Sequence, residues 1–81
     1  MEIPEGVEKY DAGDGDAFWP DMDAPLTHNL VGVHVQKNTA RKWQCNASWY
    51  DCPKWLGPEF DTLEEIVTWY RMLLAAGVKE I

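Results

Sequence analysis

The sequence predicts a small two-layer α+β domain, in which an antiparallel β-hairpin or a three-stranded sheet packs against one C-terminal helix. Two segments alternate apolar and polar residues, which is the period of a strand with one buried face. A later segment repeats its apolar residues at helical spacing. The first third has neither period, which indicates an acidic, irregular N-terminal arm. We therefore predict a partly ordered arm over residues 1–29 and a single α+β domain over residues 30–81.

The N-terminal arm holds the chain's surplus of negative charge. Residues 1–26 contain eight acidic residues against Lys9 alone, so they carry −7, which is the formal net charge of the whole 81-residue chain. A segment so rich in Asp, Gly and Pro cannot offset the entropy of ordering by burying its own apolar surface. Phe18 and Trp19 interrupt the acidic pattern, and we expect this pair to dock the arm on the domain.

Two strands are predicted, over about 30–37 and 41–50. Every second residue of each strand is apolar, which gives one core face and one polar face. Turn-forming residues at 38–40 join the strands into an antiparallel hairpin, with Val35 opposite Trp43. The predicted core face carries Val31, Val33, Val35, Trp43, Cys45, Ala47 and Trp49.

A two-stranded sheet is seldom stable alone, so another strand is expected to complete it. That strand could come from the arm, from residues 78–81 or from a second subunit. An open edge would also let the chain form a homodimer, or serve as a small accessory subunit that pairs with a larger protein. Asp51–Glu59 contains two prolines and a glycine and is predicted to be a connection rather than a strand.

The C-terminal helix is predicted over about 62–76. Asp61 and Thr62 are both candidate N-caps, because each is followed three residues later by a glutamate that can complete a capping box. Gly77 is placed to end the helix in a left-handed conformation. The apolar stripe of this helix consists of Leu63, Ile66, Val67, Tyr70, Leu73 and Leu74.

Enzymatic and metal sites are not expected. His28, His34, Cys45 and Cys52 could bind a metal, but structural zinc sites bring their ligands as close pairs, which this spacing does not provide. The aspartates of the arm lack the register of a calcium-binding loop. No nucleophile is placed beside a base with a third group to orient it, and no glycine-rich loop leads into a helix. We therefore expect a non-enzymatic protein with no metal and no cofactor.

The sequence also bears on the compartment. The N-terminal residues lack the basic start and apolar stretch of a secretory signal, and no apolar run approaches the roughly 20 residues that span a bilayer. We expect a cytoplasmic protein, in the host cytoplasm if a phage encodes it. Cys45 and Cys52 are then expected to be two thiols rather than a disulfide.

The polar face of the predicted hairpin is one candidate interaction surface. Amide and basic side chains can read base edges, and a β-ribbon fits the major groove of DNA. The order of sheet then helix, with the run Leu56–Ile66 between them, resembles the small three-stranded domains of the plant AP2 type and of integrase arm-binding modules. The candidate nucleic-acid face consists of His34, Gln36, Lys37, Arg41, Lys42, Gln44 and Asn46.

The charge of the chain favours a different partner. Phosphate neutralisation supplies much of the affinity for nucleic acid, and a chain carrying −7 opposes it. Carboxylates can instead occupy a basic groove on another protein, as phosphates do. Small acidic α+β proteins of this kind resemble phage-encoded inhibitors of host machinery, including anti-CRISPR proteins. A basic, nucleic-acid-binding protein is therefore the expected partner, and the candidate partner-binding residues are Asp11, Asp14, Asp16, Asp21, Asp23, Glu59, Glu64, Glu65, Trp69 and Met72.

Overall fold

A five-stranded antiparallel sheet and one C-terminal helix form the two layers of this protein, which confirms the predicted α+β class. The structure, a computed structural model, describes residues 2–11, 15–47 and 52–81. The elements are β1 (Glu8–Asp11), β2 (Asp16–Trp19), β3 (Thr27–His28), β4 (Val31–Gly32), β5 (His34–Lys37), β6 (Trp43–Asn46), β7 (Trp55–Phe60) and α1 (Leu63–Ala75). The main sheet has the order β1-β2-β5-β6-β7, while β3 and β4 form a separate two-stranded sheet.

The N-terminal arm is not irregular where β1 and β2 form, and this corrects the sequence prediction. These two strands pair as an antiparallel hairpin, and β2 then pairs with β5, with Phe18 opposite Val35. Phe18 is fully buried and meets the Trp43 ring edge-on at 5.6 Å. Burial of the Phe18 side chain gives the arm an apolar contact with the core, which the acidic composition of the arm does not predict. The arm therefore completes the sheet, which is one of the three sources predicted.

The hairpin of β5 and β6 has the predicted faces but not the predicted register. Val35 lies opposite Cys45, and Lys37 lies opposite Trp43, so the pairing is shifted by two residues. An even shift keeps the side chains of β5 and β6 on their predicted faces. Val31 is an exception to the predicted core face, because it lies in β4 of the second sheet and is only half-buried. Both strands are also shorter than predicted, since β5 spans 34–37 and β6 spans 43–46. Trp49, which was predicted to face the core, lies outside the described residues.

Asn38 explains the shift of register, because its side chain organises a loop that lies one residue further along the chain than predicted. Its Oδ1 atom accepts hydrogen bonds from the backbone N–H groups of Ala40 at 2.9 Å and Lys42 at 3.1 Å. Its own N–H donates to the Lys42 carbonyl at 2.8 Å, which closes the hairpin. Arg41 has φ +61°, as expected for the left-handed residue that ends a three-residue hairpin loop.

Strand β7 replaces most of the predicted connection, which is a second correction. It pairs with β6, and the register shifts between Trp43 and Cys45, where a bulge lies. Gly57 has φ +73° and provides the left-handed residue that such a bulge can use. Pro58 is tolerated because β7 is an edge strand, where a missing N–H need not break a ladder. The two prolines and the glycine of this segment therefore predicted a connection where the chain forms a strand.

The helix is confirmed, and Thr62 rather than Asp61 is its N-cap. The Thr62 Oγ1 atom accepts a hydrogen bond from the Glu65 N–H at 3.2 Å and donates to the Glu65 carboxylate at 2.9 Å. At the other end, Gly77 has φ +85°, and the N–H of Val78 donates to the Leu73 carbonyl at 3.0 Å. These bonds form a Schellman motif, which satisfies carbonyls that the helix leaves unpaired.

The core lies between the main sheet and α1. Tyr70 ties the layers together, because its hydroxyl accepts a hydrogen bond from the Leu26 N–H and donates to the Val33 carbonyl at 3.5 Å. Burial raises the pKa of this tyrosine, so the hydroxyl keeps its proton at neutral pH. The buried cluster consists of Phe18, Leu26, Val33, Val35, Trp43, Cys45, Ala47, Leu63, Ile66, Val67 and Tyr70.

We predict that Thr62→Ala lowers the free energy of unfolding by about 1 kcal/mol, because the substitution removes the N-cap acceptor. Thr62→Ser keeps that acceptor and should stay within a few tenths of a kcal/mol of the parent protein, about the spread for small surface changes. Urea denaturation measures both variants. Equal losses for the two variants would contradict the assignment of Thr62 as the cap.

We predict that Cys45 is unreactive toward a thiol reagent in the folded protein, whereas Cys52 reacts quickly. Both are free thiols, but Cys45 is fully buried and Cys52 is exposed. Burial also raises the pKa of the Cys45 thiol to about 12, which removes the reactive thiolate. Labelling of a Cys52→Ser variant at pH 8, before and after denaturation, isolates Cys45. Rapid labelling of that folded variant would contradict the burial of this thiol.

Candidate functional site

The main sheet has one face against α1 and a second face that no helix of the described residues covers. We call this second face the outer sheet face. Every second residue of a strand lies on the same face, and residues that pair across neighbouring strands share a face. The pairing of the strands therefore identifies the members of this face. Its members are Glu8, Tyr10, Ala17, Trp19, His34, Gln36, Gln44, Asn46 and Trp55.

His34, a candidate for reading DNA, lies beneath two aromatic rings of the N-terminal hairpin. It is only 3% exposed. The rings of Tyr10 and Trp19 stack on each other at 5.2 Å, and each meets the His34 ring edge-on at 5.5 Å. Burial lowers the pKa of His34, and a hydrogen bond with the Gln36 side chain partly opposes that shift. A side chain in this position is out of reach of a base edge.

The amide groups of Gln36 and Asn46 are used inside the protein. The Asn46 amide donates to Gln36 Oε1 at 3.2 Å, and its Oδ1 atom accepts from the Lys54 N–H at 3.0 Å. Asn46 is also only 4% exposed. Its donor and its acceptor are therefore both engaged with the chain itself.

Gln44, the third amide of the outer sheet face, is engaged in the same way. Its Nε2 atom donates to the Gly57 carbonyl at 2.8 Å, and its Oε1 atom accepts from the Asn38 amide at 2.9 Å. The Asn38 amide also donates to Glu59 at 3.1 Å, which links the hairpin loop to β7. These amides join strands to one another rather than present free groups to a ligand.

The basic residues near this face do not form a cationic surface. Lys42 pairs with Asp61, and Lys37 lies 5.6 Å from the centre of the Trp43 ring. Arg41 is exposed at the tip of the hairpin loop. The pKa of Lys42 is raised, mainly by the hydrogen bond and charge of Asp61, with further contributions from Glu59 and Glu65. Lys42 therefore sits within a group of carboxylates.

These carboxylates form a surface that we call the helix-entrance patch. The end of β7 and the first turn of α1 bring its members together, because only Asp61 and the Thr62 cap separate strand from helix. Acidic side chains are stabilised there by the positive end of the helix dipole. All members are exposed, and the Asp61 side chain keeps 71% of its surface accessible while it pairs with Lys42. The patch consists of Glu59, Asp61, Glu64 and Glu65.

The two apolar residues of the candidate partner-binding set, Trp69 and Met72, have different surroundings. The Trp69 ring is half-buried against Phe60, with the ring centres 5.6 Å apart, and it also covers Gly57. A Cβ atom at Gly57 would lie 2.9 Å from the Trp69 ring, so this close approach requires glycine. Met72 is 61% exposed. Only Met72 presents most of its apolar surface to solvent.

The candidate aspartates of the arm that the structure describes lie on the hairpin of β1 and β2 and on the loop that follows it. Asp16 pairs with Lys9 at 3.3 Å. The Asp21 carboxylate accepts hydrogen bonds from the backbone N–H groups of Asp23 and Ala24, each at 3.0 Å, and so stabilises a turn. Asp11 ends β1, the strand at the opposite sheet edge from β7. Asp14 lies outside the described residues.

Residues 2–11, 15–47 and 52–81 contain neither a metal-binding cluster nor a membrane-spanning helix. Within these ranges, no group of three or more His, Cys, Asp or Glu side chains is arranged to hold a metal ion. The one helix found there is too short to cross a membrane. No protein-family model, no curated protein and no solved structure matches this chain.

Sequence reasoning missed Tyr10 as a structural part of this region. Tyr10 faces the outer sheet, where it covers His34, and burial raises the pKa of its hydroxyl to about 12. The only local signal was a four-residue segment with one aromatic among charged residues. Such a segment becomes a strand only because Ala17 and its neighbours in β2 pair with it.

We predict that His34 makes folding less favourable as the pH falls. Its pKa in the folded protein lies below the ordinary value of 6.5, so the unfolded chain binds more protons between the two values. The contribution of neutral His34 to the free energy of unfolding is therefore fully present above about pH 6.5. It declines at lower pH, by up to about 1.4 kcal/mol per unit of difference between the two pKa values. Chemical denaturation at pH 7.5 and pH 5.5 measures this change.

The control for this prediction is His34→Gln, which cannot titrate. The difference between the parent protein and the variant should shrink as the pH falls from 7.5 to 5.5. A pH dependence that is identical in the two proteins would contradict a titrating, buried His34.

Proposed function

We propose that this chain is a non-enzymatic, acidic protein-binding module that engages a basic partner protein through the helix-entrance patch. The observation that carries the proposal is the position of Lys42. This lysine, a main cation of the candidate DNA-reading face, is paired with Asp61 and lies in the field of Glu59 and Glu65. The local excess of charge is therefore negative on the surface where a DNA-binding hairpin would need positive charge.

Exposure of the patch supports a role in recognition. Its carboxylates are solvated, so their field extends outward and can steer a basic partner toward the surface. Charge complementarity of this kind raises association rates, and the negative patch disfavours acidic partners such as nucleic acid. The net charge of −7 adds to the same long-range attraction.

An apolar anchor lies beside the patch. Glu65, Trp69 and Met72 are spaced by four and three residues, so they follow one stripe along α1. Protein interfaces combine such an apolar contact with a polar rim. Met72, which is 61% exposed, is the residue best placed to supply it. Trp69 contributes mainly by holding β7 against the helix.

A basic groove on a nucleic-acid-handling protein is the partner class that this surface fits best. Carboxylates displayed on a folded edge can take the place of phosphates in such a groove. In its finer form, the proposal is a nucleic-acid mimic of the phage-inhibitor or anti-CRISPR kind, acting in the host cytoplasm.

The two alternative functions have less support. Direct DNA binding would need the amides of Gln36, Gln44 and Asn46, which are bonded within the protein. Pairing through an open sheet edge, in a homodimer or with a larger protein, would use β1 or β7. Charged residues on β1 and the bulge with Pro58 on β7 are both devices that discourage such pairing.

We predict that the triple variant Glu59→Gln, Glu64→Gln, Glu65→Gln binds the partner about tenfold more weakly at low salt, with a flatter salt dependence. Glutamine preserves the capping side chain at position 65 and the acceptor at position 59. Affinity capture from a lysate of the encoding organism identifies the partner. Biolayer interferometry with that partner purified, at 50 and 300 mM salt, then measures the effect.

The matched control is Glu2→Gln, Glu5→Gln, Glu8→Gln, which removes the same charge from exposed N-terminal positions. It should lose less than about threefold, since distant charges are screened. A further variant with Asp11, Asp21 and Asp23 changed to Asn tests the acids of the arm separately. Equal losses in the patch variant and the control would contradict the proposal. Salt-sensitive retention of the parent protein on duplex DNA or heparin would favour the DNA-binding alternative instead.

A further inference from the structure

The hairpin of β3 and β4 ends in a turn that is unfavourable for its sequence. Asn29 has φ +50° and Leu30 has φ +72°, which gives a two-residue turn with both central residues in the left-handed region. Glycine is preferred at the second position because a side chain there meets the following carbonyl. A bulky residue in this conformation shifts the folding equilibrium toward the unfolded state by about 5- to 30-fold.

Packing does not compensate for this strain, because the Leu30 side chain is fully exposed. The other large apolar residues at the described surface are only partly exposed, with Met72 the next at 61%. Asparagine or glycine at this position would therefore stabilise the fold more than a fully exposed, γ-branched leucine in the left-handed region does. Such a residue points to a function outside the fold.

The base of this hairpin is fixed to the rest of the molecule. The Val33 N–H donates to the Leu26 carbonyl at 3.0 Å, and the Leu26 N–H donates to the Tyr70 hydroxyl in the core. On the outer side of β3, the Thr27 N–H donates to the Lys79 carbonyl at 3.0 Å, and the Ile81 N–H donates to the Thr27 carbonyl at 2.9 Å. The predicted final strand over 78–81 is thus a single parallel bridge, which holds the hairpin in place.

Side-chain hydrogen bonds hold the tip of the hairpin. The Asn29 N–H donates to the Glu80 carboxylate at 3.2 Å, and the Asn29 amide lies 3.1 Å from His28 Nε2. His28 Nδ1 in turn lies 2.5 Å from the Ile81 main-chain oxygen. These bonds hold the backbone of the turn, so a partner that binds Leu30 need not first order it.

We propose that Leu30 is the anchor of a second protein-docking site, which inserts into an apolar pocket framed by basic groups on a partner protein. The charge near the hairpin argues for the basic frame. Glu80 contacts the tip, and Asp21 is close enough to influence the Tyr70 hydroxyl at the base. Asp21, Asp23 and Glu80 outnumber Lys79 in residues 21–26, which precede the hairpin, and residues 78–81, which bond to it.

This site is separate from the helix-entrance patch. The patch lies at the start of α1. The hairpin is hydrogen-bonded to residues 78–81, which follow the end of that helix. The helix has 13 residues, which separates its two ends by about 20 Å. Docking of Leu30 therefore does not depend on the function proposed for the patch.

A protein pocket is favoured over two other occupants of an apolar tip. A membrane that carries anionic lipid repels a chain with a charge of −7, and one leucine buries too little apolar surface to anchor it. A second copy of this chain carries the same charge and is repelled for the same reason.

The test begins with the full chain prepared by chemical synthesis, with photo-leucine at position 30. Irradiation in a lysate of the encoding organism, with and without excess parent chain, identifies a competed protein and the residue to which it crosslinks. That protein is then purified, and isothermal titration calorimetry compares Leu30→Asn and Leu30→Met with the parent. Asparagine tolerates the left-handed conformation but is polar, and methionine remains apolar.

We expect Leu30→Asn to be at least as stable as the parent in urea and to bind at least about tenfold more weakly. Leu30→Met should bind within about threefold of the parent. The Leu30→Asn loss should persist when the helix-entrance patch is neutralised, which separates failure of this site from failure of the patch. The crosslinked residue should line an apolar pocket bordered by Lys or Arg.

Several results would overturn this inference. They are the absence of a competed crosslink, equal binding by Leu30→Asn, or a destabilised Leu30→Asn, which would mean that Leu30 supports the fold. Binding to phosphatidylcholine vesicles that is lost in Leu30→Asn would assign the tip to membranes. A Leu30-dependent dimer in sedimentation equilibrium would assign it to a second copy of the chain.

Discussion

Pairing of β2 with β5 is the interaction on which the rest of this structure depends. It places Phe18 opposite Val35 and against Trp43, so the N-terminal segment closes one side of the core. The same pairing brings Tyr10 and Trp19 over His34 on the outer sheet face. Without β2, the hairpin of β5 and β6 would expose an unpaired edge and an aromatic core. The acidic segment is therefore part of the domain rather than an appendage.

This arrangement changes how the net charge of −7 is displayed. Acids that the sequence assigns to a loose arm lie partly on an edge hairpin and on a structured turn, where Asp21 accepts two backbone N–H groups. At the β7 edge of the sheet, Asp61 of the helix-entrance patch forms an ion pair with Lys42. Fixed charge costs less conformational entropy on binding than charge on a flexible tail. A preorganised acidic surface is thus the physical basis of the proposed function.

Local signals made part of this fold predictable. The helix follows from its apolar stripe and from the Thr62 cap with Glu65 three residues later, all within one segment. The faces of β5 and β6 follow from alternation, but their register depends on the Asn38 side chain, which no period reveals. Strands β1 and β2 have only four residues each, and β7 contains Gly57 and Pro58, so neither period nor composition revealed these strands. The helix-entrance acids were predictable because they are neighbours in sequence, whereas the burial of His34 depends on distant rings.

Native-state hydrogen exchange of the backbone amides in β2 tests the central claim most directly. If the N-terminal hairpin is integral to the sheet, the amides that pair β2 with β5 open with the same free energy as those of β6 and α1, since all depend on global unfolding. Exchange of the β2 amides at rates typical of an unstructured segment, while β6 and α1 stay protected, would contradict it. The chain would then carry its surplus charge on a flexible arm.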